Sequence, residues 1–106
     1  MRDPAETVVR FYDLVEDHRY TEAARLWSAR MRSEYPPNGY IDGRFDATTR
    51  IDVNRISIRS MSLSRKTANV SVDLTEYRTS GAPRHWVGSW DLVLTSAGWL
   101  MDKPHF

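Results

Sequence analysis

The first part of the chain carries apolar residues at helical spacing. A helix start is indicated at Asp3, Pro4 and Glu6, because Asp3 can cap the first turn, proline suits the first helical position and Glu6 follows the cap by three residues. The apolar residues that recur at helical spacing behind this start are Val8, Val9, Phe11, Tyr12 and Val15. The pattern predicts a first helix that ends near residues 17–19.

A second helix is predicted to begin at Thr21. Its apolar stripe is formed by Ala23, Ala24, Leu26, Trp27 and Met31. The run Pro36-Pro37-Asn38-Gly39 should end it, since prolines remove backbone donors and disfavour helix before them. The two helices would form a short helical hairpin. The segment 40–49, with Tyr40 and Phe45, is compatible with either a helical turn or a short strand.

From Arg50 onward the apolar period changes to two. The apolar residues fall at odd positions, then at even positions, then at odd positions again. The three successive pairs are Ile51 and Val53, Ile56 and Ile58, and Met61 and Leu63. Each shift needs an extra residue in the strand, so we predict two β-bulges. Bulges bend a sheet, and a bent sheet can wrap a helix.

Three further strands are predicted, which with the helices give an α+β fold. The segment 68–75 alternates cleanly, and we expect Asp73 and Glu76 to face solvent. The strand 84–94 places Trp86, Gly88, Trp90, Leu92 and Leu94 on one face. Residues 96–98 form the last turn, and the closing strand covers 99–103.

Size and composition indicate one domain over residues 1–106, with a core of ordinary apolar content. The ends of the sequence are compatible with a domain cut from a longer protein. Fifteen basic residues nearly balance fourteen acidic ones, and no run exceeds two basic residues, so we expect a mixed-charge surface and no nucleic-acid groove.

Several classes of chemistry have no sequence signal. There is no cysteine, which leaves the compartment open, and no apolar run of the length of a membrane span, so we expect no direct membrane insertion. The three histidines are scattered, which argues against a metal site. No phosphate loop, nucleophile elbow or calcium loop occurs, and we expect no cofactor.

The order of motifs resembles the nuclear transport factor 2-like superfamily. The resemblance is carried by Val8-Val9-Arg10-Phe11-Tyr12 after the capped start, by Tyr20-Thr21-Glu22-Ala23-Ala24-Arg25-Leu26-Trp27-Ser28, and by bulged strands that end in Gly98-Trp99-Leu100. It implies a strongly curved antiparallel sheet folded over the helices into a cone with a cavity. Members include ketosteroid isomerase, scytalone dehydratase, limonene epoxide hydrolase and polyketide cyclases. Others are non-catalytic binding, dimerisation or sensory modules, among them domains attached to bacterial kinases.

Ketosteroid isomerase uses three catalytic groups, and the resemblance gives a matching residue for only one of them. Tyr12 falls where that enzyme carries its oxyanion-donating tyrosine. The place of its protonated aspartate falls at Trp90, with Asp91 on the opposite strand face. The catalytic base has only Glu34 and Asp42 near its expected position.

We therefore expect a non-catalytic accessory module that binds a small apolar ligand or another protein. The residues predicted to bind the ligand are Tyr12, Trp27, Phe45, Trp86, Trp90 and Trp99. The alternative is a small isomerase, dehydratase or cyclase that uses Tyr12 with Glu34, Asp42 or Asp91. Tyr12 and the tryptophans also suit plain core packing. The expected macromolecular partners are a second copy of the chain, as a homodimer, or other domains of a parent protein.

Overall fold

The computed structural model describes residues 3–106, which form N-terminal helices packed on a four-stranded antiparallel sheet. Helix α1 covers Pro4–Glu16, α2 covers Tyr20–Ala24, α3 covers Ala29–Glu34, and a π-helical segment covers Asn38–Gly43. The strands are β1 (Thr48–Ser62), β2 (Thr67–Arg78), β3 (Arg84–Thr95) and β4 (Gly98–His105), and they lie in that order across the sheet. The predicted α+β class is confirmed.

Helix α1 forms as its sequence predicts. The Asp3 side chain accepts a hydrogen bond from the backbone N–H of Glu6 at 2.9 Å, and Pro4 occupies the first turn. The helix ends where His18 adopts a φ of 59°, a left-handed conformation typical of helix ends. Its buried face supplies Val8, Phe11, Tyr12, Leu14 and Val15 to the core.

The predicted second helix is wrong in one respect, because it is broken into α2 and α3. Between them the backbone pairs with strand β4: the N–H of Met101 donates to Leu26 O at 2.7 Å, and the N–H of Ser28 donates to Met101 O at 2.9 Å. The Ser28 hydroxyl then caps α3 by accepting from the N–H of Met31. Tertiary pairing with β4 therefore outweighs the helical period of this segment.

Strand β1 carries the predicted bulges. Its pairing with β2 shifts register between Val53 and Arg55 and again between Ile58 and Ser60, where the apolar parity changes. A third shift, between Thr48 and Arg50, had no signal in the sequence because the strand begins earlier than predicted. Strand β4 is also longer than predicted at both ends.

Position 88 requires a glycine because His105 and Phe106 pass very close to its backbone. A Cβ at this position would lie 2.5 Å from the carbonyl oxygen of His105 and 2.6 Å from the ring of Phe106. The glycine thus lets Phe106 lie across β3 with its ring at 6.0 Å from that of Trp90. The aromatic ring that packs against this glycine is therefore that of Phe106.

Substituting Gly88 by alanine should lower the free energy of unfolding by about 1–3 kcal/mol, since either the backbone of His105 or the Phe106 ring must move. The matched control is Gly39→Ala, where no atom lies within 4 Å of an added Cβ and the expected change is within about 0.5 kcal/mol. Urea unfolding followed by tryptophan fluorescence measures both. Equal effects for the two variants would contradict the close approach.

Candidate functional site: an aromatic cavity with a buried ion pair

The candidate site is a cavity of about 280 Å³ between the helices and the concave face of the sheet. It is lined mainly by apolar and aromatic side chains: Phe11, Tyr12, Trp27, Met31, Tyr35, Tyr40, Phe45, Ile51, Leu74, Trp86, Trp90, Pro104 and Phe106. Two charged residues, Arg44 and Glu76, complete the lining. The volume lies near the lower end of the range of about 300–1,000 Å³ found for small-molecule sites.

Five of the six predicted ligand-binding residues line this cavity. The exception is Trp99, which is buried in the core away from it. Its carbonyl oxygen instead accepts from the Thr7 hydroxyl at 3.0 Å, so that the residue fastens β4 to α1. The assignment of Trp99 to the cavity is therefore corrected.

None of the three carboxylates considered as a catalytic base lines the cavity. Glu34 forms an exposed ion pair with Arg30, and Asp42 lies exposed in the π-helical segment. Asp91 points to the convex face of the sheet, where it accepts from Asn69 and pairs with His105. Burial acts to raise the pKa of Asp91, but the hydrogen bonds from these two partners outweigh it and hold the pKa below its usual range.

Glu76 is the carboxylate that the cavity does contain, and the expectation that it faces solvent is wrong. It follows Leu74 on the buried face of β2, and only 2 % of the residue is exposed. The strict alternation of β2 carries the signal that places it inward, since positions 68, 70, 72 and 74 are all buried. A glutamate at the next position of that parity must enter the core.

The carboxylate of Glu76 is satisfied on both oxygens. Arg44 donates to both of them at 2.8 Å, in a bidentate pair. The indole N–H of Trp86 donates to Oε1 at 3.0 Å, and the hydroxyl of Thr48 donates to Oε2. Burial alone would raise the pKa of Glu76, but these hydrogen bonds outweigh it and lower the pKa to about 2.

Arg44 is fixed by aromatic rings as well as by Glu76. Its guanidinium carbon lies 4.6 Å from the ring centre of Phe45 and 5.4 Å from that of Trp86. The side chain remains 37 % exposed, so its outer N–H groups stay within reach of the cavity mouth. Both oxygens of Glu76 are therefore fully hydrogen-bonded, whereas Arg44 has N–H groups beyond the two that Glu76 accepts.

Tyr12 also lines the cavity, and its hydroxyl accepts a hydrogen bond from the indole N–H of Trp90 at 3.0 Å. Burial raises the pKa of Tyr12 well above its ordinary range, so the group is a neutral hydroxyl at physiological pH. Within residues 3–106 no acceptor takes the hydroxyl hydrogen of Tyr12. The buried indole N–H of Trp27, whose ring also lines the cavity, has no partner in that range either.

Comparison with known proteins bears on the fold alone. No family model matches the sequence, and no curated protein matches it. Among solved structures, the intermembrane space region of the chloroplast protein ARC6 is similar, with a TM-score of 0.64 at 10% sequence identity. The alignment covers 98% of this chain and 95% of that one, so the whole architecture is shared.

Two further features of residues 3–106 concern membranes and metal ions. No helix among residues 3–106 is long and apolar enough to cross a bilayer. The same residues contain no group of three or more histidine, aspartate or glutamate side chains placed to hold a metal ion.

The pKa of Glu76 gives a prediction for acid unfolding. A glutamate whose pKa falls from an ordinary 4.5 to about 2 on folding stabilises the native state above pH 4.5, and this stabilisation is lost as the pH falls toward 2. The loss should be about 3 kcal/mol for the wild type. In Glu76→Gln the free energy of unfolding should fall correspondingly less over the same pH interval.

Urea unfolding between pH 5 and pH 2 measures this difference. Glu34→Gln is the matched control, because Glu34 forms an exposed pair and its loss should leave the pH dependence almost unchanged. Parallel pH profiles for the wild type and Glu76→Gln would show that the Glu76 carboxylate is not preferentially ionised in the folded protein.

Proposed function

We propose that this chain is a non-catalytic binding module of the nuclear transport factor 2-like superfamily, whose cavity takes a small, mainly apolar ligand. The observation that carries the proposal is an aromatic cavity whose one carboxylate, within the described residues, is fully occupied by hydrogen bonds from Arg44, Thr48 and Trp86. Such a site offers contact area and a few fixed polar groups, as ligand pockets do.

Arg44 and Tyr12 both keep unused hydrogen-bond donors in the cavity. A guanidinium carries five N–H groups, and Glu76 takes two of those of Arg44. The hydroxyl of Tyr12 has accepted from Trp90 and still has its own hydrogen to donate. Since the acceptor oxygens of Glu76 are already filled, a ligand with a hydrogen-bond acceptor fits this cavity better than one with a donor or a positive charge.

The same groups argue against the enzymatic alternative. A general base works best when its pKa lies near the working pH. The hydrogen bonds from Arg44, Thr48 and Trp86 instead hold the pKa of Glu76 at about 2. Tyr12 remains a suitable donor for an oxyanion, but the carboxylates at positions 34, 42 and 91 lie outside the cavity. A donor without a proton acceptor supports binding rather than proton transfer.

Matched naphthalene probes test the ligand preference. We expect 2-acetylnaphthalene, which has a carbonyl acceptor, to quench the tryptophans of the cavity at lower concentration than 2-ethylnaphthalene, which has none. Tyr12→Phe should weaken binding of the ketone by about threefold to tenfold, the value of one hydrogen bond, and leave the hydrocarbon unchanged. Tyr77→Phe, which removes a tyrosine hydroxyl outside the cavity, is the control.

A filled cavity should abolish this binding. Leu74→Trp places an indole inside the cavity and should reduce the affinity for 2-acetylnaphthalene by at least about tenfold, whereas Val87→Trp, at an exposed position outside it, should not. Circular dichroism must show that both variants are folded. If neither naphthalene binds the wild type, or if Leu74→Trp binds as well as the wild type, the cavity is not a ligand site.

Turnover assays separate the two classes of function. We expect no product from ketosteroid, epoxide or polyketide-type substrates at any pH between 5 and 9. Isomerisation that is present in the wild type and lost in Tyr12→Phe would contradict the non-catalytic proposal, since only a chemical role for the hydroxyl explains both results.

A further inference from the structure

The two edges of the sheet are protected unequally. The β4 edge pairs with Leu26–Ser28 around Met101. At the start of the β1 edge, the carboxylate of Glu16 accepts from the N–H of Ile51 at 2.7 Å. Between residues 53 and 62, no side chain of the described part of the protein caps a backbone N–H on the outer side of β1. This part of β1 is called the distal edge below.

The concave side of the distal edge is apolar and uncovered. Ile58 and Met61 stand directly opposite Val70 and Ala68, which are buried, so all four side chains share the concave face. Yet Ile58 is 40 % exposed and Met61 50 %, and Leu63 beyond them is 56 % exposed. The core continues to the edge of the sheet, but the helices do not reach that far.

Two arginines lie on the convex side of the same edge. Arg55 stands opposite Asp73, and Arg59 lies beside Asn69 and His105 on the convex face. Residues 54–72 contain four basic residues and no acidic one. The basic residues are Arg55, Arg59, Arg65 and Lys66. None of the four makes an ion pair with any residue in the 3–106 range.

We propose that the distal edge of β1 binds an extended segment of a partner protein in which acidic and apolar residues alternate, as a fifth strand of the sheet. Side chains of an added strand point to the two faces in turn. The apolar set would cover Ile58 and Met61, and the acidic set would meet Arg55 and Arg59. Backbone hydrogen bonds along the edge would supply affinity that does not depend on sequence.

Charge excludes a second copy of the chain at this edge. Two distal edges related by a twofold axis and paired antiparallel would set Arg55 and Arg59 of one protomer against those of its partner. Like charges directly opposite each other are destabilising. A homodimer of this protein would therefore use another surface, and the distal edge selects an acidic partner.

Three synthetic peptides of seven residues test the proposal, with fluorescence anisotropy and amide NMR shifts as readouts. The first alternates glutamate and valine, the second alternates lysine and valine, and the third contains the residues of the first in two blocks. We expect the first alone to bind, to weaken as salt rises, and to shift amides of residues 54–62. Equal binding of the second or third, or shifts confined to another surface, would overturn the proposal.

Matched variants identify the groups responsible. The double variant Arg55→Glu, Arg59→Glu should weaken binding of the first peptide at least about tenfold. The control is the double variant Arg10→Glu, Arg84→Glu, which changes the net charge equally at exposed positions elsewhere. It should change the affinity for this peptide less than about twofold. Ile58→Asp should weaken it as well, and Val87→Asp, at an exposed residue of β3, should not. No difference between either variant and its control would overturn the assignment.

Two other occupants are outcomes of the same tests. Sedimentation of a dimer that dissociates in the Arg55→Glu, Arg59→Glu variant would overturn the proposal in favour of self-association. Failure of all peptides, with binding to vesicles containing phosphatidylserine that the same variant loses, would overturn it in favour of a membrane surface. These measurements are independent of the naphthalene titrations, because the distal edge lies outside the cavity.

Discussion

The ion pair between Arg44 and Glu76 is the interaction on which the cavity depends. A buried carboxylate is tolerated only when it is paired and hydrogen-bonded, and here its partners come from four parts of the chain. Arg44 follows the π-helical segment, Thr48 begins β1, Glu76 lies in β2 and Trp86 lies in β3. The pair thus fastens an irregular segment to the sheet and holds the aromatic wall around Phe45 in place.

The polarity of the cavity follows from how this pair is satisfied. Because Glu76 has spent its acceptor oxygens, the positive charge of Arg44 is balanced while some of its N–H groups remain unused. Tyr12 is kept neutral by burial and contributes a hydroxyl to the same cavity. The same hydrogen bonds that let Glu76 lie in the core also lower its pKa to about 2, so one set of contacts explains both its burial and its ionised state.

The sequence predicted those features that depend on local pattern. The cap at Asp3, the bulges near residues 54 and 59 and the alternation of β2 all follow from spacing, and the structure contains them. The break at Ser28 was not predictable from spacing, because it depends on pairing with Met101 far along the chain. The inward position of Glu76 is predictable from its parity with Leu74, whereas its residue type, a glutamate, favours solvent.

For the candidate site, aromatic content was the informative signal. Five of the six aromatic residues chosen from the sequence line the cavity, because strand parity and helical spacing fix which side faces inward. The carboxylates at positions 34, 42 and 91 had only the resemblance and their place in the sequence to support them, and they lie outside the cavity. Arg44 carried no signal at all, since its role depends on a glutamate thirty-two positions away.

The most direct test is the titration of the Glu76 carboxyl carbon by NMR in the folded protein, with Glu76→Gln used for assignment. We expect this carboxyl group to stay mostly ionised as the pH falls through 4 and 3, with its titration midpoint near pH 2. A midpoint at or above its ordinary value of 4.5 would contradict the account. In that case the cavity would hold a carboxyl group able to exchange protons, and the argument for a binding site without catalysis would fail.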